Sequence, residues 1–307
     1  MRIALKVDVD TLRGTQEGVP ALLRLFDRYR VSATFLWSLG PDHTGRALRR
    51  IFRRGFLRKV SRTSVVSHYG IKTLLYGVLL PGPMIGARSV DILRATLQAG
   101  HESGIHCYDH VAWQDQVAGK GELWTREVLQ RARDLHDTLL ERPPTTHGAA
   151  GWQINAHLLA VEEAWRLPYA SDCRGTHPFL PVLDGRRFAC PQLPTTLPTL
   201  DELLGQEGMT ADTLHVGVLA HSRQPCSHGH VYTLHAELEG MKLLPVMEKL
   251  LQSWQADGYR VGSLADMWYG SGGQEGVCHA VLPRHTMVWG SVAGRSGVLA
   301  LQGDVCE

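Results

Sequence analysis

The sequence predicts an α/β barrel. A short apolar run, Arg2 to Val7, ends in acids, the pattern of a buried first strand that delivers Asp8 and Asp10 to its C-terminal end. A helical pattern and a second short strand follow after short links, which makes the neighbouring strands parallel. Polar residues then recur where predicted strands stop: Asp8 and Asp10, His106, Asp172 and His235. In (β/α) barrels that rim is where reacting groups collect.

Along the chain, Gly18 to Arg30 has helical spacing at Val19, Leu22, Leu23 and Phe26, and Ser32 to Trp37 reads as the second strand. Arg46 to Arg62 is a basic helix candidate, with Leu48, Ile51, Phe52 and Phe56 on one face and arginines over most of the rest. A compact apolar stretch, Ile71 to Leu80, comes next. Val90 to Gly100 is a helix stopped by glycine, and His101 to His106 a strand entering a polar loop. Leu123 to Leu140 is a helix ended by Pro143-Pro144, and Asn155 to Trp165 another. Tyr169 to Cys173 and Val231 to His235 read as strands, Leu243 to Gln255 as a helix, and Tyr259 to Gly262 as the start of a last strand. The barrel is expected to span 1–268, with an insertion at about 43–88 and a C-terminal extension at 269–307.

The bulk numbers fit one large domain. A chain of 307 residues that is 44% hydrophobic can bury a core without disulfides or structural metal. Any metal is therefore expected to serve chemistry. The net charge of +2 conceals an uneven distribution. Ten of the 32 Lys and Arg lie between His43 and Val90, where there is no Asp or Glu, so 22 basic residues face all 30 acidic ones elsewhere. The six cysteines are scattered, with no C-x-x-C, which suits a reducing compartment. The N-terminus carries Lys6 and Asp8 too early for a signal peptide. The longest uncharged apolar stretch, Thr73 to Ala87, is too short to span a bilayer and contains Pro81 and Pro83. From these features a cytoplasmic protein is expected.

Two patterns carry chemistry. His106-x-x-x-His110 can bring two imidazoles to one ion if the four-residue spacing falls on a helical turn. With 16 histidines in the chain, a pair of exposed or core histidines is the alternative. Asp8-Val9-Asp10 ends an extended segment, so both carboxylates share a face, and the charge on one opposes ionisation of the other. A cation beside them relieves that repulsion. A solvated strand end or helix cap is the alternative.

The combination resembles the polysaccharide deacetylases, the NodB-homology or carbohydrate esterase family 4 group. Their motif order is matched by Asp8/Asp10, His106/His110, Asp172 and Leu234-His235. The resemblance implies a distorted (β/α) barrel of the polysaccharide-deacetylase (NodB) type. It is closest to the branch that deformylates 4-deoxy-4-formamido-L-arabinose on undecaprenyl phosphate. The matching segments are Asp8-Val9-Asp10-Thr11, Gly14-Thr15, Glu17-Gly18-Val19-Pro20, His110-x-Ala112-Trp113-Gln114, Ala149-Ala150-Gly151-Trp152, Ser171-Asp172-Cys173-Arg174-Gly175, Tyr232-Thr233-x-His235-Ala236-Glu237 and Ala293-Gly294-Arg295. That branch implies a role in making the aminoarabinose donor for lipid A, and so in resistance to polymyxin and cationic peptides. One departure stands out: the family's third motif carries an Arg that orients the catalytic Asp, whereas this chain has His147-Gly148-Ala149-Ala150-Gly151. Either His147 or an Arg from elsewhere, such as Arg13 or Arg174, is expected to replace it, or the Asp is oriented differently.

From this follows an expected mechanism. Asp10, His106 and His110 are expected to bind one divalent ion (Zn2+, Mn2+, Co2+ or Ni2+), which would lower the pKa of a bound water toward about 7. Asp8 is the general base, His235 protonates the leaving amine, and Asp172 holds His235 in its working tautomer. Arg13 and Arg174 are expected either to meet the phosphodiester of the undecaprenyl-phosphate-linked sugar or to form surface ion pairs. The basic and apolar stretch from Arg46 to Leu80 suits the anionic inner-membrane surface, at about 1 kcal/mol per Lys or Arg. Arg49, Arg50 and Arg53 with Phe52 and Phe56 are the expected contacts. Nucleic acid is not expected there, because the apolar area of Ile71 to Leu80 has no use in that role. The protein would then sit peripherally on the cytoplasmic face.

Two rival readings remain. Lys6-Val7-Asp8-Val9-Asp10-Thr11 fits the Asp-x-Asp-x-Thr opening of haloacid-dehalogenase-type phosphatases, with Asp8 as nucleophile, but a late acidic pair is missing and histidine-bound metal would be surplus. A non-catalytic membrane-docking homologue would not need to keep every proposed ligand and both acid/base groups.

Overall fold

A computed structural model describes residues 1–47, 71–204, 206, 208–210, 212–273, 275–295 and 297–306. Arg49, Arg50, Phe52, Arg53 and Phe56 lie outside these residues, as does most of the helix expected from Arg46 to Arg62. Of the apolar stretch after it, Ile71–Leu75 is a short helix, and Gly77, Val78 and Leu79 form a turn.

Strand β1 (Arg2–Val9) is central. It pairs in parallel with β2 (Thr34–Ser38), β6 (His230–His235) and β7 (Arg260–Gly262), and β2 pairs with β3 (Glu102–Cys107). Three irregular segments continue the wall from β3 round to β6. Gly148 N donates to Ile105 O (3.1 Å), Ser171 N to His147 O (2.8 Å), Leu193 N to Ala170 O (2.8 Å) and Thr196 N to Val231 O (3.1 Å). Backbone hydrogen bonds therefore close a ring whose irregular staves make it a distorted barrel. Tyr169 to Cys173, expected as a strand, is one such stave. Its ladder is interrupted because Asp172 N donates to the Gln192 side chain (3.0 Å) instead of to a neighbouring backbone.

Alternation along β1 decides what faces where. Ile3, Leu5, Val7 and Val9 join the apolar layer that packs under helix α1 (Val19–Tyr29) and the helix Leu244–Ala256. Lys6 and Asp8, on the opposite face, are buried inside the ring. The helices expected from periodicity are present at Val90–Gln98, Glu122–Leu140 and Ala156–Ala164, the last capped by the Asn155 side chain accepting from Leu158 N.

A second sheet has the order β5 (Arg186–Arg187), β4 (Leu180–Leu183), β8 (Arg284–Gly290), β9 (Leu299–Cys306). Its last two strands come from the 269–307 segment. They bond directly to a barrel stave: Arg174 N donates to Ala300 O (3.0 Å) and Gln302 N to Arg174 O (2.8 Å). Met287 and Ala300 share a core with Trp113, Phe179 and Phe188.

Where the segment after β1 crosses the segment after β6, backbone meets backbone. A Cβ at Gly18 would stand 2.1 Å from Ala236 O, and one at Gly240 would stand 2.7 Å from Gly18 Cα. Gly18→Ala must push these two segments apart, so it should lower stability by about 1–3 kcal/mol in urea unfolding, as overpacking does. An unchanged midpoint would show that the crossing yields freely.

Candidate active site

The β1–β6 register sets Asp8 opposite His235, so the expected base and acid stand on adjacent strands at the same rim. Asp10 follows one residue past the end of β1. Glu237 fixes the backbone there: its Oε1 accepts from Asp10 N (3.1 Å), Thr11 N (2.8 Å) and Thr11 Oγ1 (2.8 Å). Asp42 Oδ2 accepts from Leu12 N (2.9 Å). The turn that presents Asp10 is thus held by two carboxylates from elsewhere in the chain.

Asp10, His106 and His110 converge. Asp10 Oδ1 is 3.4 Å from His106 Nε2, and Oδ2 is 3.3 Å from His110 Nε2. The spacing works differently from a single helical turn. His106 lies in β3, and His110 is the first residue of the helix His110–Gln116, whose N-cap Asp109 accepts from Ala112 N. His106 Nδ1 donates to Gly148 O (2.5 Å), which leaves Nε2 facing Asp10. Burial, with help from His110 and Lys6, keeps the His106 pKa well below its usual range, so the ring is neutral, as a ligand must be. Burial and the Glu237 charge push Asp10 well above the carboxylate range.

These residues fit a divalent cation. Asp10 Oδ1 is buried with no hydrogen-bond partner, as is Asp8 Oδ1. Donor separations of 3.3–3.4 Å match two ligands at about 2.0–2.2 Å from one tetrahedral centre.

His235 carries a proton. Burial opposes it, but Asp201, Asp10, Glu239 and Asp8 raise its pKa to about 9. Its Nδ1 lies 4.0 Å from Asp201 Oδ1, and its backbone N donates to Glu239 Oε2 (2.9 Å). Here the expectation for Asp172 needs correcting. Asp172 is wholly buried and fully used elsewhere: Oδ1 accepts from His147 Nδ1 (2.7 Å) and Ala149 N (2.7 Å), and Oδ2 from Gln192 Nε2 (2.9 Å). The carboxylate beside His235 is Asp201, which no motif marked.

Arg174 is a second correction. Its Nη1 donates to both Glu202 oxygens (2.6 and 2.8 Å) and its Nη2 to Leu197 O (2.9 Å), so it is a structural tie and not a phosphate contact. Arg13 Nε donates to Glu17 Oε2 (3.1 Å), one helical turn on. The geometry also bears on the missing third-motif Arg. His147 belongs to Asp172 and Glu162, and the cation beside Asp8 is Lys6, two residues back on the same strand face. Lys6 Nζ stands 3.9 Å from Asp8 Oδ1 and donates to Ser171 O (2.8 Å). Burial raises the Asp8 pKa, and Lys6 is the largest influence holding it down. A further residue joins from the C-terminal sheet: Arg295 lies 4.6 Å over the Trp152 ring and 3.8 Å from Asp201 Oδ2. The sequence signals for these were slight: a lysine in an apolar strand, and the segment Ala293-Gly294-Arg295.

Cys107 and Cys173 are buried, and burial raises both thiols well above their usual range, so they act as packing residues.

No protein-family model matches the chain. A Shewanella sediminis (strain HAW-EB3) protein described as "Probable 4-deoxy-4-formamido-L-arabinose-phosphoundecaprenol deformylase ArnD" is 36% identical over 250 residues, covering 81% of this chain and 80% of that one. The chain belongs to the ArnD deformylase family. A Wigglesworthia glossinidia brevipalpis protein with the same description is 29% identical over 83% of this chain and 88% of its own length. Among solved structures, a Mycobacterium smegmatis protein assigned to the polysaccharide deacetylases superposes with a TM-score of 0.61 at 18% identity, covering 86% of this chain and 87% of that one. The deacetylase barrel is therefore the fold of this ArnD deformylase family member, and the phosphatase reading of Asp8-Val9-Asp10-Thr11 falls away.

The His147 cluster links stability to pH. Burial opposes the His147 charge, but Asp172 and Glu162 raise its pKa to about 9. A folded pKa above the unfolded value contributes stability that is complete below pH ~6.5 and lost as pH rises through about 9. Removing the imidazole leaves Asp172 buried and unpaired. His147→Ala should therefore cost about 3–5 kcal/mol in urea unfolding at pH 6.5, and the stability–pH slope between 6.5 and 9 should become shallower. A variant with wild-type stability at pH 6.5 would refute the paired charge.

Proposed function

We propose that this protein hydrolyses the formamide of 4-deoxy-4-formamido-L-arabinose-phosphoundecaprenol to give 4-amino-4-deoxy-L-arabinose-phosphoundecaprenol and formate. Membership of the deformylase family supports the substrate. The observation that carries the chemistry is the β1–β6 register, which sets a carboxylate and a protonated imidazole across from each other beside Asp10, His106 and His110.

Asp10, His106 and His110 would hold the cation, and this N2O donor set suits Zn2+, Mn2+, Co2+ or Ni2+. When bound, a divalent ion supplies Lewis acidity that polarises an amide carbonyl and acidifies water. Asp8 takes the proton from the attacking water as it adds to the formamide carbon. Lys6 keeps the Asp8 carboxylate in place and favours its ionised form. The C–N bond then breaks as His235 gives its proton to the sugar nitrogen, since an amide anion is a very poor leaving group. Asp201 keeps the His235 imidazole charged before that step. On the alkaline side, activity is expected to fall as His235 loses its proton.

The test is formate release from the lipid-linked formamido sugar, with and without chelator. Wild-type protein should release formate only with metal. Asp8→Asn and His235→Ala should each lower kcat by about 10²–10⁴-fold at unchanged metal content. Full turnover by His235→Ala would remove it from the proton-transfer step.

We also place the protein at the anionic face of the inner membrane, on its cytoplasmic side. No helix among the described residues is long and apolar enough to cross a bilayer. The basic segment from His43 to Val90 and the exposed turn Val78-Leu79-Leu80 supply charge and apolar surface for a peripheral contact. Sedimentation with phosphatidylglycerol vesicles should be strong at low salt, weaken at high salt, and be lost when Arg49, Arg50 and Arg53 are changed to Glu. Absence of binding at low salt would end this part of the proposal.

A further inference from the structure

The substrate named above is an anion as well as an amide. Its sugar joins a formamide at one carbon to a phosphodiester at another, so a cation at the rim would favour its binding. Among the described residues several candidates are already engaged: Arg13 pairs with Glu17. Lys6 is enclosed by Ser171 and Asp8, and Arg174 is closed on Glu202. Arg295 is different. Its side chain is 22% exposed, it stacks on Trp152, and the ionic neighbour it has among the described residues, Asp201, is 3.8 Å away, beyond hydrogen-bond distance. Its side chain donates no hydrogen bond among the described residues.

The position of Arg295 is built, not incidental. Gly294 has φ +81°, and a Cβ there would stand 1.9 Å from Glu202 O, so the β8–β9 loop presses on the backbone next to Asp201. Glu202 is in turn fastened by Arg174, whose backbone pairs with β9. Arg295 N closes the loop on Val292 O (3.1 Å). Trp152 is held at φ +53° by its own N donating to Ala149 O (2.9 Å), and it offers its ring as a platform. Against burial, the Arg295 charge, after that of His235, helps hold the Asp201 pKa below its usual value.

We infer that Arg295 is the phosphodiester-binding residue of this site, its guanidinium presented by the Trp152 platform and the Gly294 loop. This rests on the deformylase reading. A planar fork of N–H donors matches two phosphate oxygens, and stacking holds the fork without using its donors. The C-terminal sheet then has a task in substrate choice: it selects formamido sugars that carry a phosphate over neutral ones.

The experiment has two arms. Binding of geranyl phosphate to the metal-free full-length protein is measured by calorimetry, and formate release is measured on the undecaprenyl-phosphate-linked sugar and on its neutral methyl glycoside. Arg295→Ala should weaken geranyl phosphate at least tenfold and raise KM for the lipid-linked sugar by a similar factor. Its preference for that sugar over the neutral glycoside should shrink accordingly. Arg295→Lys should recover part of the binding. Equal losses in kcat on both substrates, with geranyl phosphate binding intact, would overturn the inference and make Arg295 a support for Asp201 and His235. Arg295-dependent binding without formate release by the wild type would sustain the anion site while rejecting the deformylase reading.

Discussion

The inside of the barrel is charged, and that constraint shapes the rest of the molecule. Strand β1 puts Lys6 and Asp8 on the face that looks into the ring, Lys6 wholly enclosed and Asp8 almost so. Buried ions are tolerated only with partners and hydrogen bonds. The staves from His147 to Thr196 supply these, and in doing so give up regular strand geometry. Ser171 turns a carbonyl to Lys6, and Gln192 spends its side chain on a backbone N–H. The distortion of the barrel is the structural cost of a polar interior.

Two donor clusters in the barrel look alike by composition but differ in chemistry. Asp10, His106 and His110 meet at separations slightly too long for good hydrogen bonds, and an oxygen is left over. His147, Glu162 and Asp172 also come together, but within hydrogen-bond distance through one shared N–H, and all three are fully enclosed. The first set has room and charge for a cation; the second already holds its proton. The second also steadies the first, because the backbone between His147 and Ala149 presents Gly148 O to His106.

Much of this was legible in the residues. The apolar run of β1, the stripe of α1 and the order of the Asp, His and Leu-His motifs predicted the parallel sheet and singled out the residues of the triad; that β6 lies beside β1, with His235 level with Asp8, was not read from them. What stayed hidden were partnerships between distant segments. Asp172 follows a strand-like run and was read as a partner of His235, yet the stave turns it toward His147. Asp201 sits in a short helix with no motif around it. Arg174 looked like a surface cation beside a motif, but nothing local reveals Glu202 across from it. The sheet of β4, β8 and β9 was also missed: β4 is short and about a hundred residues from β8, and β8 and β9 are half-exposed.

The way β8 and β9 lean on the stave at Arg174 bears on how such a molecule is made. The wall behind Trp152 receives its outer layer from β8 and β9, which follow the last barrel strand in the chain, and through them the loop carrying Gly294 reaches the Glu202 backbone. A chain stopped after β7 would keep every barrel strand and lack that layer. The cleft is therefore a joint product of two sheets, and truncation of the second would leave it unfinished.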